Sequence, residues 1–467
     1  MLPFARNLSH TAKPGGAQVF LAGTRDEGLF IFNGKTFHPF EPDPFVQTYL
    51  FENKLYHGAV LQDSSFALAT AFGGVIVIDQ EGNFQQIIDK AGGLRDQAVK
   101  FVYPDRQGGL WLALNNGLAR VEFPAPFSFY SEASGVAGYI NSILRYDGEI
   151  YAAGNTGIFR LLPAAANRAP VFQPVSGAAF HIWSLLATEE ALLAAAGNGI
   201  YRIEKNRVVK LADTNTTVLY QSRYDRNLVF AGLKEGLAVL KKQGGQWRVS
   251  ARVAGISEEV RTIAEESQGI LWLGALHQGI LRVTIPDFPA LTASHSPENL
   301  QNPGSKAESA TEIFATVQHF GPQQELPTGT GRVFFVKERV VFATNKGLKR
   351  FGPEKEIFLP DTSFGAILAD TARVISHVLE DARGRLWVKT TKGDRRETGL
   401  AIPESDGHYS WNSAAFERIA DWGSVYDMYA DPQHAGVIWL GGPEGIARYD
   451  HSVTKDYTLD FPALVRR

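Results

Sequence analysis

Apolar residues in this chain gather into short runs of about five, and most runs meet a glycine turn and then resume. "LWLALNNGLARV" (Leu110–Val121) shows the form: five unbroken apolar residues, Asn-Asn-Gly, then a second run in which polar and apolar positions mix. Runs of this length bounded by glycine predict strands, and the glycine between them supplies the positive φ that a tight hairpin needs. A strand apolar at every position, such as Leu110 to Leu114, predicts a sheet buried on both faces.

The unit recurs ten times when aligned on its turn glycine, at Gly28, Gly74, Gly117, Gly157, Gly199, Gly236, Gly279, Gly347, Gly393 and Gly445. The spacings are 46, 43, 40, 42, 37, 43, 68, 46 and 52, the range of propeller blades and solenoid repeats. A further strand precedes most copies and ends on an acidic residue, as in "AVKFVYPD" to Asp105, "EVRTIAEE" to Glu266, "RVISHVLED" to Asp381 and "SVYDMYAD" to Asp431. A fourth strand follows, such as "KTFHPF" or "NRVVKL". The pattern predicts an all-β chain, a β-propeller of four-stranded antiparallel blades. No Trp-Asp dipeptide occurs, so the WD40 repeat does not fit.

Ten blades exceed one ring, since such propellers commonly close with four to eight. Two partitions are open, seven blades followed by three or three followed by seven. The Pro- and Ser-marked stretch "EFPAPFSFYSEASGV" (Glu122–Val136) favours the second, with residues 1–123 forming the three C-terminal blades of an incomplete first propeller and 124–467 a seven-bladed propeller. The competing boundary is "PDFPALTASHSPENLQNPGSKAESA" (Pro286–Ala310), inside the 68-residue spacing. Three blades leave a bare face; on the order of 500 Å² of apolar surface would cost roughly 12 kcal/mol. The expectation is therefore a piece of a longer protein.

Composition narrows the function classes. The 467 residues include 46 Lys and Arg against 49 Asp and Glu, a net charge of -3 with the basic residues scattered, which argues against a nucleic-acid partner. There is no cysteine, which removes disulfides, thiolate metal sites and a cysteine nucleophile. The N-terminus lacks an apolar signal-peptide core and no run of eighteen apolar residues occurs, so no signal peptide or transmembrane segment is expected in this chain.

The order acidic residue, x, x, Gly, x, Leu-Trp, small-residue strand, Gly, apolar strand resembles the repeat of the two-component regulator propeller family. Asp105/Gly108/Trp111/Gly117, Glu266/Gly269/Trp272/Gly279 and Asp381/Gly384/Trp387/Gly393 carry the likeness, while Asp431 lies two residues further from Trp439. The terminal "DFPALVRR" is similar to the family's propeller ending. The resemblance implies the sensor region of a bacterial signalling protein, extracytoplasmic (periplasmic) in the intact parent. It further implies an Ig-like connector, a membrane span and an output domain such as a histidine kinase or cyclase beyond this chain. A ligand that includes carbohydrate among its candidates and a homodimer are further expectations.

Local chemistry is sparse. "GLFIFNGKT" (Gly28–Thr36) has five residues between its glycines where a P-loop has four, and reads as a strand. The eleven histidines form no H-E-x-x-H pattern, so no catalytic, cofactor or metal-ligating set is expected. Trp111, Trp272, Trp387 and Trp439 occupy the repeated blade position and are expected in the core. The innermost strands differ just after their opening apolar residues, at Lys100, Asn141, Trp183, Leu219, Arg261, Ser376 and Tyr426. That column is expected at the central channel, with Trp183, Arg261, Tyr426 and Asn141 as ligand-binding candidates. A propeller enzyme, a hydrolase or lyase acting on carbohydrate, is the alternative; inward His and carboxylate clusters would favour it, aromatics and Arg the sensor.

Overall fold

A computed structural model describes residues 20–90, 93–106, 108–163, 170–204, 207–286, 288, 311–329 and 331–453. The expectations resting on "DFPALVRR", on residues 1–19 and on most of Pro286–Ala310 lie outside the described residues. The fold is all-β, a β-propeller built mostly of four-stranded antiparallel sheets that meander outward from an inner strand. The chain divides into two compact units, residues 1–135 with 162–172, and residues 136–161 with 173–467.

Among its described residues the first unit holds three sheets. The first has three strands, Phe20–Gly23, Leu29–Phe32 and Phe37–Phe40; the second has four, Leu55–Val60, Phe66–Thr70, Val75–Ile78 and Phe84–Ile88; the third has three, Val99–Pro104, Gly109–Leu114 and Gly117–Glu122. Period-two alternation explains the unbroken apolar run of Phe66–Thr70. Phe66 and Leu68 meet Leu21 and Leu29 of the first sheet, while Ala67 and Ala69 meet Val99, Leu110 and Leu112 of the third. The stretch "GLFIFNGKT" is a strand and turn, as its apolar run requires. Helix α1 (Pro44–Asn53) was not expected from the repeat. Asp43 caps it by accepting the Phe45 N–H at 2.8 Å, Pro44 opens it, and Phe45, Val46 and Leu50 fill the space beside the first two sheets.

The double burial expected of Leu110–Leu114 is corrected. In the third sheet Trp111 and Ala113 are only half-buried, and Phe101, Tyr103 and Leu118 are exposed. Among the described residues, no further sheet of this unit covers that face.

Among the described residues the second unit contains seven inner strands: β1 (Ile140–Tyr146), β2 (Ile182–Ala187), β3 (Thr216–Gln221), β4 (Val260–Ser267), β5 (Arg332–Val336), β6 (Arg373–Glu380) and β7 (Asp427–Ala430). Each touches the next in chain order, and β7 returns to touch β1, so these strands make a closed cycle. Outside them run second strands that are apolar throughout, such as Leu192–Ala196 and Leu228–Leu233, and every residue in both is buried. Leu192, Ala194 and Ala196 pack toward Tyr151 and Ala153, whereas Leu193 and Ala195 pack toward Val229 and Ala231. A sheet sandwiched between two neighbours therefore needs no polar face. The 68-residue spacing has a local cause. After Gly279–Thr284 the chain leaves its sheet and returns as the fourth strand, Thr316–Phe320. On the way, Thr311–Ile313 adds in parallel to the outer strand Gln246–Val253 of the preceding sheet.

The acid, glycine and tryptophan of the repeat form one device. The Asp381 carboxylate accepts the Trp387 indole N–H at 2.9 Å, the Arg385 Nε–H at 2.8 Å and the backbone N–H groups of Arg383 and Arg385. Glu266 accepts from Trp272 at 3.0 Å and from Arg282 on the third strand; Asp105 accepts from Trp111 at 3.1 Å and from Arg120. A six-residue separation brings the carboxylate back beside the indole across the hairpin. Where the separation is eight, between Asp431 and Trp439, the contact lengthens to 3.4 Å. Trp272 and Trp387 are 1% and 0% exposed, and Trp439 is also buried. Trp111, expected in the core, is half-buried because its sheet is the one with the open face. Trp247 is core, and Trp411 packs on the edge of a core cluster.

Candidate functional site

Five of the seven inner strands in the second unit open the same way. A buried aliphatic or Thr pairs with the second strand, and the next residue is skipped in the register as a β-bulge. The skipped residues are Asn141, Trp183, Thr217, Arg261 and Ser376. Tyr426 holds the same place ahead of β7, where its N–H donates to the Gly441 carbonyl at 2.7 Å. Neither β7 nor β5 shows a bulge in its register, and β5 opens directly on Arg332. In the first unit Tyr56 and Lys100 take the bulge positions. A bulged residue is released from the ladder, so its side chain can turn toward the end of the ring. This register corrects one member of the expected column: Leu219 is a buried core residue, and Thr217 is its counterpart.

The residue after the bulge has a different task. The Ser142 hydroxyl accepts the Leu185 N–H at 3.0 Å, the Thr262 hydroxyl accepts the Val333 N–H at 2.9 Å, and the Asp427 carboxyl accepts the Ile143 N–H at 2.7 Å. Each bond ties one inner strand to the next. The last of them, with the Arg145–Asp431 ion pair at 2.5 Å, fastens the cycle where its ends meet.

Three consecutive bulges, Trp183, Thr217 and Arg261, line one cavity of about 330 Å³ together with His181, Gly197, Asn215, Lys234 and Glu259. The Arg261 guanidinium carbon lies 4.4 Å from the Trp183 ring centroid, a cation–π contact, and its other side pairs with Glu259. His181 lies 4.2 Å from Trp183, centroid to centroid, and 3.2 Å from the Asn141 amide nitrogen, which also donates to the Ile182 carbonyl. Tyr139 stands edge-on to His181 and to Tyr426, with 5.9 Å between centroids in each case. Asn141, Trp183, Arg261 and Tyr426 are thus joined through Tyr139 and His181 into one polar-aromatic track. Burial first and Arg261 second hold the His181 imidazolium below its ordinary pKa, which favours a neutral ring. Tyr426 is the most open of the four, 43% exposed.

Further into the ring lie groups that the column did not include. Arg332 Nη1 donates to the Ser376 carbonyl at 3.2 Å, and Lys389 Nζ donates to the Val425 carbonyl. Burial, then Arg332 and Arg396, pushes Lys389 down to about 8, and burial pushes His377 down to about 3, so its imidazole is neutral. The Asp427 side chain is half-buried, and burial carries its carboxyl up to about 7. A signal for Ser142, Thr262 and Asp427 did exist, a polar residue directly before an aliphatic or Met residue, one step after the variable position. Arg332 had none, because its strand opens without the buried apolar residue on which the others align. Among the described residues no group of three or more His, Asp or Glu side chains is placed to hold a metal ion, and no helix is long and apolar enough to cross a membrane.

No protein-family model and no curated protein matches this sequence. Among solved structures, the chain is similar to the extracellular domain assigned to a hybrid two component system of B. thetaiotaomicron, BT3049. The TM-score is 0.63 with 16% identity, over 94% of this chain and 56% of that one. It is also similar to the extracellular domain of BT4673 from the same organism, with a TM-score of 0.51 and 13% identity, over 96% of this chain and 61% of that one. The chain spans less than two thirds of the length of either. At these identities the likeness establishes the shared propeller fold.

Proposed function

We propose that this chain is a non-enzymatic sensor module of a bacterial signal-transduction protein, binding its ligand or partner at the mouth of the seven-membered cycle. The observation that carries the reading is the track itself. Trp183 and Arg261 stack over a cavity rimmed by His181 and Glu259, and Tyr139 and Tyr426 extend the aromatic surface. Flat rings with few polar anchors suit recognition of a small organic ligand, because stacking supplies area and hydrogen bonds supply orientation. Carbohydrate belongs to that ligand class.

Two further elements complete the proposal. The repeat's resemblance to the two-component regulator propeller family, and the shared fold with the two Bacteroides extracellular domains, support an extracytoplasmic sensor that relays to a connector and output domain in the intact protein. Residues 124–467 form the complete seven-bladed propeller of that sensor. The test is signalling by the intact protein after Trp183→Ala, Arg261→Ala and Tyr426→Ala substitutions. Each is expected to lower the response to inducer at least about tenfold, the weight of one buried hot-spot contact, with protein level and thermal stability unchanged. A response equal to wild type in all three would overturn the reading.

A further inference from the structure

Arg332 and Lys389 are interior cations without an anion. Among the described residues neither forms an ion pair, although a guanidinium carries five N–H donors and an ammonium three. Each is half-buried and each meets a single backbone carbonyl, Ser376 for Arg332 and Val425 for Lys389. Both residues meet β6 at neighbouring positions. Arg332 crosses from β5 to Ser376 on β6, Lys389 stands opposite His377 in the sheet register, and Ser376 and His377 are consecutive. The Lys389 ammonium is also 6.0 Å from the Tyr426 ring centroid.

The surroundings add positive charge. Arg261 disfavours the charge on Arg332, and Arg332 with Arg396 disfavours that on Lys389, both after burial has done so first. The same two cations help to keep His377 neutral. Nearby carboxylates do not compensate, since Glu259 is engaged by Arg261, Glu397 beside Lys389 is engaged by Arg373 and Arg395, and the Asp427 carboxyl accepts the Ile143 N–H. Two half-buried like charges that disfavour one another destabilise the ring. An anion between them would offset both the repulsion and the unused donors.

We propose that Arg332 and Lys389 form an oxyanion site inside the ring, taking a carboxylate, sulfate or phosphate group beside Ser376 and Tyr426. The site adjoins the proposed ligand track at Tyr426, but the signalling reading does not require it. It accepts either a free inorganic anion or the acidic group of an organic molecule.

The experiment is thermal unfolding of the full chain at pH 6.5, titrated with sodium phosphate, sodium sulfate and sodium benzoate, against sodium chloride at matched ionic strength and neutral benzamide. A bound anion raises Tm by mass action, so a saturable rise of about 2 °C or more over the chloride control is expected. Arg332→Gln and Lys389→Met are expected to lose that rise and, with the repulsion relieved, to melt at or above the wild-type temperature in chloride alone. A rise with phosphate or sulfate assigns the site to free anions; a rise with benzoate alone, and none with benzamide, assigns it to an organic acid. Absence of any rise over chloride would overturn the proposal. A rise that both variants retain would also overturn it, as a general salt effect or an adventitious ion only. Should Arg332→Gln fail to fold, Lys389→Met decides the same question.

Discussion

At the scale of single residues, the repeated carboxylate is the most informative group. Its worth depends on what surrounds it. The Asp381 carboxylate is buried with Arg385 and takes four donors, whereas the Asp105 carboxylate sits with Arg120 on the open sheet. Asp381→Ala would leave Arg385 and the Trp387 indole buried without a partner, and is expected to cost about 3 kcal/mol or more. Asp105→Ala is expected to cost about 1 kcal/mol, because water screens and replaces it. Urea unfolding of the two variants measures the contrast, and equal losses would contradict it. Asp427 gives a pH dependence. Its carboxyl, at about 7 in the folded chain, keeps a proton that the unfolded chain releases near 3.8. Its contribution therefore falls as pH rises from 3.8 to about 7 and is level above that. Asp427→Asn keeps an acceptor for the Ile143 N–H and removes the titration. The wild-type stability minus that of the variant should decline across this window; a flat difference would refute the assignment.

Elements show why so much of the fold could be read in advance. Hairpins are local: a run of apolar residues, a glycine and a second run need no distant partner to be recognised. Gly236 illustrates the requirement, with φ at +99° and a hypothetical Cβ only 2.8 Å from the Ile256 carbonyl. The seams between sheets are a different matter. They rest on short side chains such as Ser142, Thr262 and Asp427, which pair with backbone 43, 71 and 284 residues away. Ser142→Ala and Thr262→Val are each expected to lose about 1 kcal/mol, the worth of one buried hydrogen bond. The two seams share no partner, so the double variant should lose their sum. A loss well beyond the sum would mean that the seams open together. Helix α1 has a legible signal in Asp43-Pro44, an N-cap followed by proline, which lies outside the repeat.

For the whole molecule, closure is the property on which the rest depends. The cycle from β1 to β7 and back to β1 leaves no inner strand without a neighbour, whereas in the first unit the third sheet exposes Phe101, Tyr103 and Leu118. A polypeptide of residues 124–467 is accordingly expected to melt in one cooperative transition, and residues 1–123 alone to aggregate or fail to fold. Calorimetry and light scattering on the two pieces check this, and the reverse result would refute the partition. The strand class, the period and the candidates Asn141, Trp183, Arg261 and Tyr426 were legible in the chain alone, because apolar runs, turn glycines and a variable position within a repeat are all local facts. Leu219 was misaligned for Thr217, since a bulge shifts the register by one and only the paired strand reveals it. Folding was needed to join the four candidates into one track through Tyr139 and His181, and to bring Arg332 and Lys389 together at Ser376 and His377. Those encounters depend on ring geometry, which gathers side chains from separate blades that share no spacing in the chain.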